Sequence, residues 1–265
     1  MAPQIPDKKR IARSFSNKAG TYGEYAAIQQ TALEKLAGYA RELPADTSPW
    51  IDLGCGTGLF ETIAGIPHSR NIFYLDIAPQ CLQKARTQRQ PPAPAIVADI
   101  ESLPLHSGTF AVAVMASVLQ WLTEPSRALR AINAVLNSRG HLLFAVFLNN
   151  SFHELQQLQT KYGVKNPIRL FSLPECETLF SRSGFDILSR EELRITFHYP
   201  TPLAALKSFV GTGSTALQGN RLNPKKLFSF CREYDTLHRT PQGIPVTCHM
   251  LVGKARKTGF SESTG

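Results

Sequence analysis

One short stretch of the chain, residues 51–58, combines a strand end, a carboxylate and three alternating glycines. The apolar run before it predicts a buried strand, and Asp52 stands where that strand ends. Glycine adopts positive φ readily and leaves room for another molecule beside the backbone. Such a loop at the exit of a strand is typical of cofactor binding in an α/β sheet, although a tight turn alone would also use glycine. The dinucleotide spacing would require glycine at position 59, where Leu59 stands. The three glycines are Gly54, Gly56 and Gly58.

Two further carboxylates end the next two predicted strands. Asp76 lies about 20 residues after the glycine loop, where a carboxylate can accept both hydroxyls of a ribose. Asp99 follows the third strand, and we expect it to accept from an adenine amino group, with the Ile100 backbone nearby. Ile77 would then cover the adenine face. Because ligands bind at the carboxyl ends of the strands in open α/β sheets, the loop and both acids predict one crevice.

The spacing Asp-x-Gly-x-Gly-x-Gly resembles motif I of the S-adenosylmethionine (SAM) dependent methyltransferases. This resemblance implies that Gly54, Gly56 and Gly58 let the backbone pass beside the methionine and ribose parts of SAM. Asp52 would orient the loop or the ammonium group of SAM, unless it only caps local backbone donors. No Cys or His spacing matches a metal site, so no metal is expected.

The elements that position these residues alternate between strands and helices, which predicts a doubly wound, mostly parallel, seven-stranded Rossmann-like α/β sheet. Two helical stretches exceed what a minimal sheet needs, and we interpret them as a lid or substrate wall, with a purely decorative helical pair as the alternative. The predicted strands are 49–53, 71–75, 95–98, 110–116, 140–147, 186–197 and 245–253. The predicted segments are an N-terminal helical lid (1–48), a SAM-binding core (49–148), a helical insertion with the sixth strand (149–200), a helical cap insertion (201–243), the final strand (244–256) and a disordered tail (257–265).

Composition fits one domain of enzyme size: the chain has 265 residues, of which 43% are hydrophobic. Five scattered cysteines and the lack of an apolar leader predict a cytoplasmic protein, and no apolar run is long enough to span a membrane. The net charge of +9 predicts an acidic partner. Composition alone leaves nucleic acid and acidic protein equally open, because the basic residues are dispersed.

Several segments, in order and spacing, resemble the malonyl-[acyl-carrier protein] O-methyltransferases of biotin synthesis. The resemblance runs from about residue 8 to residue 256, although Gly211 stands one residue later than the family pattern and Leu119 is larger than usual. The matching segments are Arg13-Ser14-Phe15 with Ala19 and Tyr22, residues 52–58, residues 98–105, Leu119-Gln120-Trp121, Leu206-Lys207 with Gly211-Thr212-Gly213, and residues 248–253.

The resemblance implies methyl transfer from SAM to the free carboxylate of a malonyl thioester on acyl carrier protein. Acyl carrier proteins are acidic, so complementary charge would speed encounter and makes a nucleic-acid partner less favoured. The alternatives are a methyltransferase of another small acid or quinone-like metabolite and, in a different class, an RNA-binding protein. Malonyl-coenzyme A also stays open as the thioester.

The resemblance also implies roles for residues outside the glycine loop. Tyr22 would close over SAM as part of a lid, and Gln120 and Trp121 would shape the carboxylate pocket. A carboxylate is already ionised at neutral pH, so no general base is needed. An arginine must then hold it, and Arg169 is the candidate, with a surface arginine as the alternative. The weaker candidates, Lys207 and Arg221, would face the carrier protein.

Overall fold

A seven-stranded sheet with the order β3-β2-β1-β4-β5-β7-β6 forms the centre of the computed structural model, which describes residues 7–43, 48–67, 69–163, 168–214 and 222–258. Strands β1 to β5 pair in parallel, and β7 lies antiparallel between β5 and β6. The predicted α/β fold, with seven mostly parallel strands, is therefore confirmed. The strands are β1 Trp50–Leu53, β2 Ile72–Asp76, β3 Ala95–Val97, β4 Phe110–Ala116, β5 Leu136–Phe147, β6 Phe185–Tyr199 and β7 Ile244–Lys257.

Helices follow most of the strands, and five of them carry proline in their first turn, where its missing N–H costs nothing. The helices are α1 Lys8–Lys18, α2 Tyr22–Tyr25, α3 Ala27–Arg41, α4 Leu59–Ala64, α5 Pro79–Thr87, α6 Pro125–Val135, α7 His153–Tyr162, α8 Leu173–Arg182, α9 Pro202–Gly211 and α10 Pro224–His238. Two 3-10 turns, Ile100–Ser102 and Leu119–Trp121, follow β3 and β4.

Each face of the sheet has its own hydrophobic core, because successive strand residues point to opposite faces. Trp50 belongs to one core and the adjacent Ile51 to the other. Helices α3, α4, α5, α7, α9 and α10 pack into the first core, and α6 and α8 pack into the second. Both helical insertions therefore contribute to the core: α7, α9 and α10 cover the same face as α3.

The N-terminal helices touch both the sheet domain and the cap. Helix α1 packs against α5, and α2 packs against α9. Gly211 makes the second contact close: a Cβ there would lie 2.2 Å from the Tyr25 ring. The Ser14 hydroxyl donates to the Gly213 carbonyl at 3.0 Å. The glycines at the end of α9 thus allow the N-terminal segment to lie directly on the cap.

The observed strand bounds differ from the predicted ones by more than two residues at two places. Strand β5 begins at Leu136, four residues before the predicted start, because Leu136 already pairs with Phe110 of β4. Residues 137–140 form a bulge, and regular pairing resumes at His141. Strand β7 runs through Lys257, the first residue of the predicted tail. Residues 259–265 of that tail lie outside the described residues. Within the described part of the chain, no helix is long and apolar enough to cross a membrane.

Candidate active site

A cavity of about 740 Å³ lies at the carboxyl ends of β1 to β4, under helix α1. Parallel strands of an α/β sheet place their loops at this edge, so the residues that follow each strand meet there. We call it the donor cavity. Its lining includes eight residues that were singled out in the sequence: Tyr22, Gly54, Gly56, Asp76, Ile77, Asp99, Ile100 and Trp121.

The three glycines of the loop all have positive φ, but each meets different surroundings. A Cβ on Gly54 would lie 2.5 Å from a Val118 methyl group, and one on Gly58 would lie 3.1 Å from Ala85. A Cβ on Gly56 would meet no atom within 4 Å. Gly54 and Gly58 therefore permit close packing of the protein itself, whereas Gly56 leaves open space at the cavity wall.

Asp76 fixes the loop to the end of β2. Its carboxylate accepts the Gly56 N–H at 2.8 Å and the Ala78 N–H at 2.7 Å. Burial raises the pKa of Asp76, while these two donors lower it. Each oxygen retains a lone pair for a further donor. The loop and its carboxylate therefore form one hydrogen-bonded unit beside the cavity.

Asp52 lies at the end of β1 and does not line the cavity, but its environment is unusual. The side chain is only 3% exposed, and its Oδ2 has no hydrogen-bond partner. Burial raises the pKa of Asp52 to about 8, and the neighbouring carboxylates of Asp76 and Glu61 add to the shift. An unpaired buried carboxylate is costly, and a cation nearby would relieve that cost.

Asp99 is joined to helix α1, which the sequence did not predict. Lys8 bridges the carboxylates of Asp99 and Glu101 and lines the cavity. Glu101 is buried and also accepts the N–H groups of Thr123 and Glu124, at 2.5 and 3.0 Å, just before α6. It therefore caps the start of α6. Lys8 ties the first helix to the edge of the sheet.

Helix α1 and the residues after it form the roof of the donor cavity. Lys8, Ile11 and Phe15 are spaced by three and four residues, and all three line the cavity. Tyr22 lies beside them, and burial raises the pKa of its hydroxyl, with further increases from Cys81 and Asp76. The helical spacing of Lys8, Ile11 and Phe15 is a signal, present in the sequence itself, that these three residues share one side of α1.

A second cavity, of about 600 Å³, lies next to the first and is bounded by the N-terminal helices, the cap and the end of β5. We call it the acceptor cavity. Its wall is mostly apolar, with carboxamide and hydroxyl groups between the hydrophobic side chains. It is lined by Tyr25, Ile28, Gln29, Gln120, Trp121, Phe147, Phe152, Leu155, Gln159, Ile168, Ser208, Phe209, Thr212 and Ser214.

Trp121 lies between the two cavities and lines both. Its ring packs edge-on against Phe15 of α1, with ring centroids 5.3 Å apart. Gln120, on the same 3-10 turn, lines only the acceptor cavity, and its amide donates to the Ser117 carbonyl at 2.8 Å. The Oε1 atom of Gln120 is buried without a partner.

Backbone strain is concentrated at the same place. Ser117 and Phe152 have φ values of 58° and 61°, and they are the non-glycine residues with positive φ in the described ranges. Ser117 lines the donor cavity, and Phe152 lines the acceptor cavity. Such conformations cost free energy and cluster at functional sites. This observation points independently to the pair of cavities.

Of the three predicted cations, the two within the described residues, Arg169 and Lys207, do not line the acceptor cavity. Arg169 is 49% exposed, stacks over Phe171 at 4.7 Å and lies 3.9 Å from Glu175, in a groove outside both cavities. Its backbone N–H, however, donates to the Gln120 carbonyl at 3.1 Å. Lys207 is exposed on α9. Arg221 lies outside the described residues. The grip of Arg169 on a carboxylate stays a prediction.

Most residues of the acceptor cavity were not foreseen. They come from α2, α3, α7 and α9, from the end of β5 and from connecting residues, which are far apart in the sequence, and no local motif marks them. In the described parts of the chain, no group of three or more His, Cys, Asp or Glu side chains is placed to hold a metal ion. The arrangement joins a donor cavity lined by the charged side chains of Lys8, Asp76 and Asp99 to an acceptor cavity whose described lining carries no charged residue. The two meet at one tryptophan, which suits transfer of a small group between two ligands.

Comparison with known proteins gives consistent results. The model of a family described as "Methyltransferase domain" matches residues 51–144. The malonyl-[acyl-carrier protein] O-methyltransferase of Erwinia pyrifoliae is 30% identical over 224 residues, which cover 83% of this chain and 82% of that protein. The enzyme of the same name from Hahella chejuensis is 29% identical and covers 93% and 89%.

Solved structures with similar folds include methyltransferases. A putative methyltransferase of Bacillus halodurans has a TM-score of 0.61 at 13% identity and covers 84% of this chain and 99% of its own. A geranyl diphosphate methyltransferase solved in complex with SAM has a TM-score of 0.54 at 11% identity, with coverages of 86% and 85%. These likenesses establish the fold.

Proposed function

The chain belongs to the family of malonyl-[acyl-carrier protein] O-methyltransferases, and we propose that it methylates the free carboxylate of malonyl-acyl carrier protein, an early step of biotin synthesis. The product is the methyl ester: an oxygen–carbon bond forms, the methyl–sulfur bond of SAM breaks, and S-adenosylhomocysteine leaves. The observation that best supports this is the junction of the two cavities at Trp121.

The donor cavity offers groups that fit SAM. Gly56 leaves space where a Cβ would intrude. Asp52 lies outside the cavity lining, and the ammonium group of SAM would supply the cation that its buried Oδ2 lacks. We assign the ribose hydroxyls to Asp76, the adenine amino group to Asp99 with the Ile100 backbone nearby, and the adenine face to Ile77. SAM, when bound, supplies a methyl group already activated by its sulfonium.

The chain's contribution to the reaction is then positioning and exclusion of water. A malonyl carboxylate ionises near pH 4, so no residue needs to remove a proton. The apolar wall that Phe147, Phe152 and Phe209 provide would strip water from the nucleophile, which raises its reactivity. Trp121 and Gln120 would set its approach, and Tyr22 would close the donor side.

We retain Arg169 as a proposed carboxylate ligand, although its side chain would first have to leave the stack on Phe171. The backbone of Arg169 also contacts the site, because its N–H donates to the carbonyl of Gln120. Arg169→Ala removes only the side chain. A loss of turnover with unchanged SAM affinity would support binding of the malonyl carboxylate by the Arg169 side chain, and unchanged turnover would exclude it.

Labelled methyl transfer tests the function. The protein is incubated with methyl-labelled SAM and malonyl-acyl carrier protein, with malonyl-coenzyme A in parallel and acetyl-acyl carrier protein as the control without a free carboxylate. We expect an alkali-labile ester on the malonyl carrier and no label on the acetyl carrier. Absence of label on both malonyl thioesters would reject the proposal. Salt-sensitive binding of RNA would then favour the alternative, an RNA-binding protein.

A further inference from the structure

The outer faces of α9 and α10 expose apolar side chains in an unusual number. Of the seven large hydrophobic residues exposed in the described parts of the chain, four lie on these two helices. Leu203 and Val210 lie on α9, and Phe228 and Leu237 lie on α10, where Leu237 is on the opposite side of the helix from Phe228. Concentration of exposed apolar side chains in one region marks an interaction site more often than scattered ones do. We call the exposed residues Leu203, Lys207, Val210, Lys225, Phe228 and Arg232 the cap surface.

Helix α10 presents its part of the cap surface as a single stripe. Lys225, Phe228 and Arg232 are spaced by three and four residues, so they lie on one side of the helix. Phe230 and Tyr234 are fully buried on the opposite side. Phe228 is 67% exposed and lies between two cations. Packing of the helix therefore does not explain this phenylalanine.

The charge of this surface is positive because the acids of α10 are already paired. Glu233 accepts from Lys161 at 2.6 Å and from the Tyr162 hydroxyl at 2.8 Å. Asp235 is bonded to Arg239 at 2.9 Å. Helix α9 contains no acidic residue. In contrast, no carboxylate in the described ranges pairs with Lys207, Lys225 or Arg232.

The cap surface lies on the outside of the acceptor cavity wall. The inner side of α9 contributes Ser208 and Phe209 to that wall, and α7 contributes Leu155. Helix α10 packs on both helices, with the rings of Phe230 and Tyr162 5.4 Å apart. A macromolecule bound to α9 and α10 would therefore lie beside the acceptor cavity, where we place the acyl group.

We propose that the cap surface is the docking site for the acidic carrier protein, with Phe228 as its apolar anchor; this rests on the proposed function. An exposed aromatic next to arginine is the composition of a protein–protein anchor point. Lys225, Arg232 and Lys207 would steer acidic residues of the carrier toward it. Three cations around apolar groups fit an acidic protein better than a nucleic-acid backbone, which calls for denser charge.

Charge reversal on α10 tests the proposal in the full-length protein. The variants are K225E/R232E and F228S, and the control is R130E/R182E, which reverses two exposed arginines on α6 and α8, on the other side of the sheet. We expect KM for malonyl-acyl carrier protein to rise about tenfold, or 1.4 kcal/mol, in the first two variants. KM for malonyl-coenzyme A and the Kd for S-adenosylhomocysteine should stay unchanged, as should every value in the control.

Binding of the carrier without its acyl group gives a second measurement that needs no turnover. Titration of holo-acyl carrier protein should show weaker binding to K225E/R232E, and added salt should weaken the wild-type complex more than the variant complex. Unchanged binding and unchanged KM in both variants would overturn the docking site while leaving methyl transfer intact. A wild-type dimer that F228S converts to a monomer would instead assign the surface to a second copy of this chain. Equal increases in KM for malonyl-acyl carrier protein and malonyl-coenzyme A would also overturn the docking site, since they would indicate damage to the catalytic site.

Discussion

The three glycines of the loop show how one motif serves packing and binding at once. The absence of a Cβ lets Val118 pack against Gly54 and Ala85 pack against Gly58, whereas no protein atom lies within 4 Å of the Cβ position of Gly56. All three require positive φ, which the sequence pattern indicates. Which glycine faces a ligand depends on neighbours from elsewhere in the chain, so the motif alone could not distinguish them.

Asp52 gives a prediction about pH at the level of a single residue. Its pKa is raised to about 8 in the folded protein, whereas an exposed aspartate ionises near pH 4. Between these values unfolding releases a proton, so the free energy of unfolding falls as pH rises. We expect the melting temperature of the ligand-free protein to decrease from pH 6 to pH 8.5. Asp52→Asn should flatten this decrease.

The same proton equilibrium should govern SAM binding. If the ionised carboxylate receives the ammonium group, binding favours loss of the proton, and affinity should rise by up to about tenfold per pH unit below pH 8. Calorimetric titration at several pH values measures this. Asp186→Asn, at an exposed carboxylate on β6, is the control and should leave both profiles unaltered. If the Asp52→Asn protein kept the wild-type dependence of SAM affinity on pH, a group other than Asp52 would be the one that titrates.

At the level of elements, the strands were predicted well because their signals are local. Strand β4 is a continuous apolar run, and β1 and β2 carry Asp52 and Asp76 at their carboxyl ends. The start of β5 was missed because a single pair, Leu136 with Phe110, is separated from the regular pairing at His141 by a bulge of turn-type residues. A bulge interrupts the apolar run from which a strand start is predicted.

Helix α1 was recognised as helical, but its anchoring was not. An isolated lysine at the start of a helix gives no indication that two carboxylates about 90 residues later will meet it. The bridge between Lys8, Asp99 and Glu101 depends on the loop after β3 passing beneath α1. Long-range ion pairs of this kind are not encoded in local spacing.

Removal of that bridge should loosen α1 as a unit. Lys8→Met retains the length of the side chain and removes its charge, which leaves the buried carboxylate of Glu101 without its cation. We expect trypsin to cleave after Arg10 and Arg13 about tenfold faster, because local opening of α1 costs less free energy. Affinity for S-adenosylhomocysteine should fall as well.

Lys9→Met is a matched control, since Lys9 is the exposed neighbour of Lys8. Its cleavage rate and ligand affinity should equal those of the wild type. If Lys8→Met also matched the wild type in both measurements, packing of Ile11 and Phe15 alone would hold the helix, and the bridge would be dispensable.

At the scale of the whole molecule, the donor half of the site was predictable and the acceptor half was not. Donor residues follow strands, and the order of parallel strands brings them together. The acceptor cavity depends on how α3, α7 and α9 pack, which is a property of the folded chain. Arg169 illustrates the difference: its position next to Gln120 is fixed by a backbone hydrogen bond, whereas its side chain stacks away from the cavity.

Trp121 joins the two halves, and this gives a prediction about their coupling. It lines both cavities and contacts Phe15 of the roof, so ligands on either side act on the same side chain. Two ligands that stabilise one arrangement of a shared element bind cooperatively, and the coupling is reciprocal.

In the wild type, S-adenosylhomocysteine should bind more tightly when the acceptor cavity holds the methyl ester of malonyl-pantetheine. Trp121→Ala should abolish that difference and lower kcat, while Trp121→Phe should restore part of both. Isothermal titration of each ligand with and without the other measures the coupling, and equal coupling in wild type and Trp121→Ala would show that the cavities communicate through the roof helix instead.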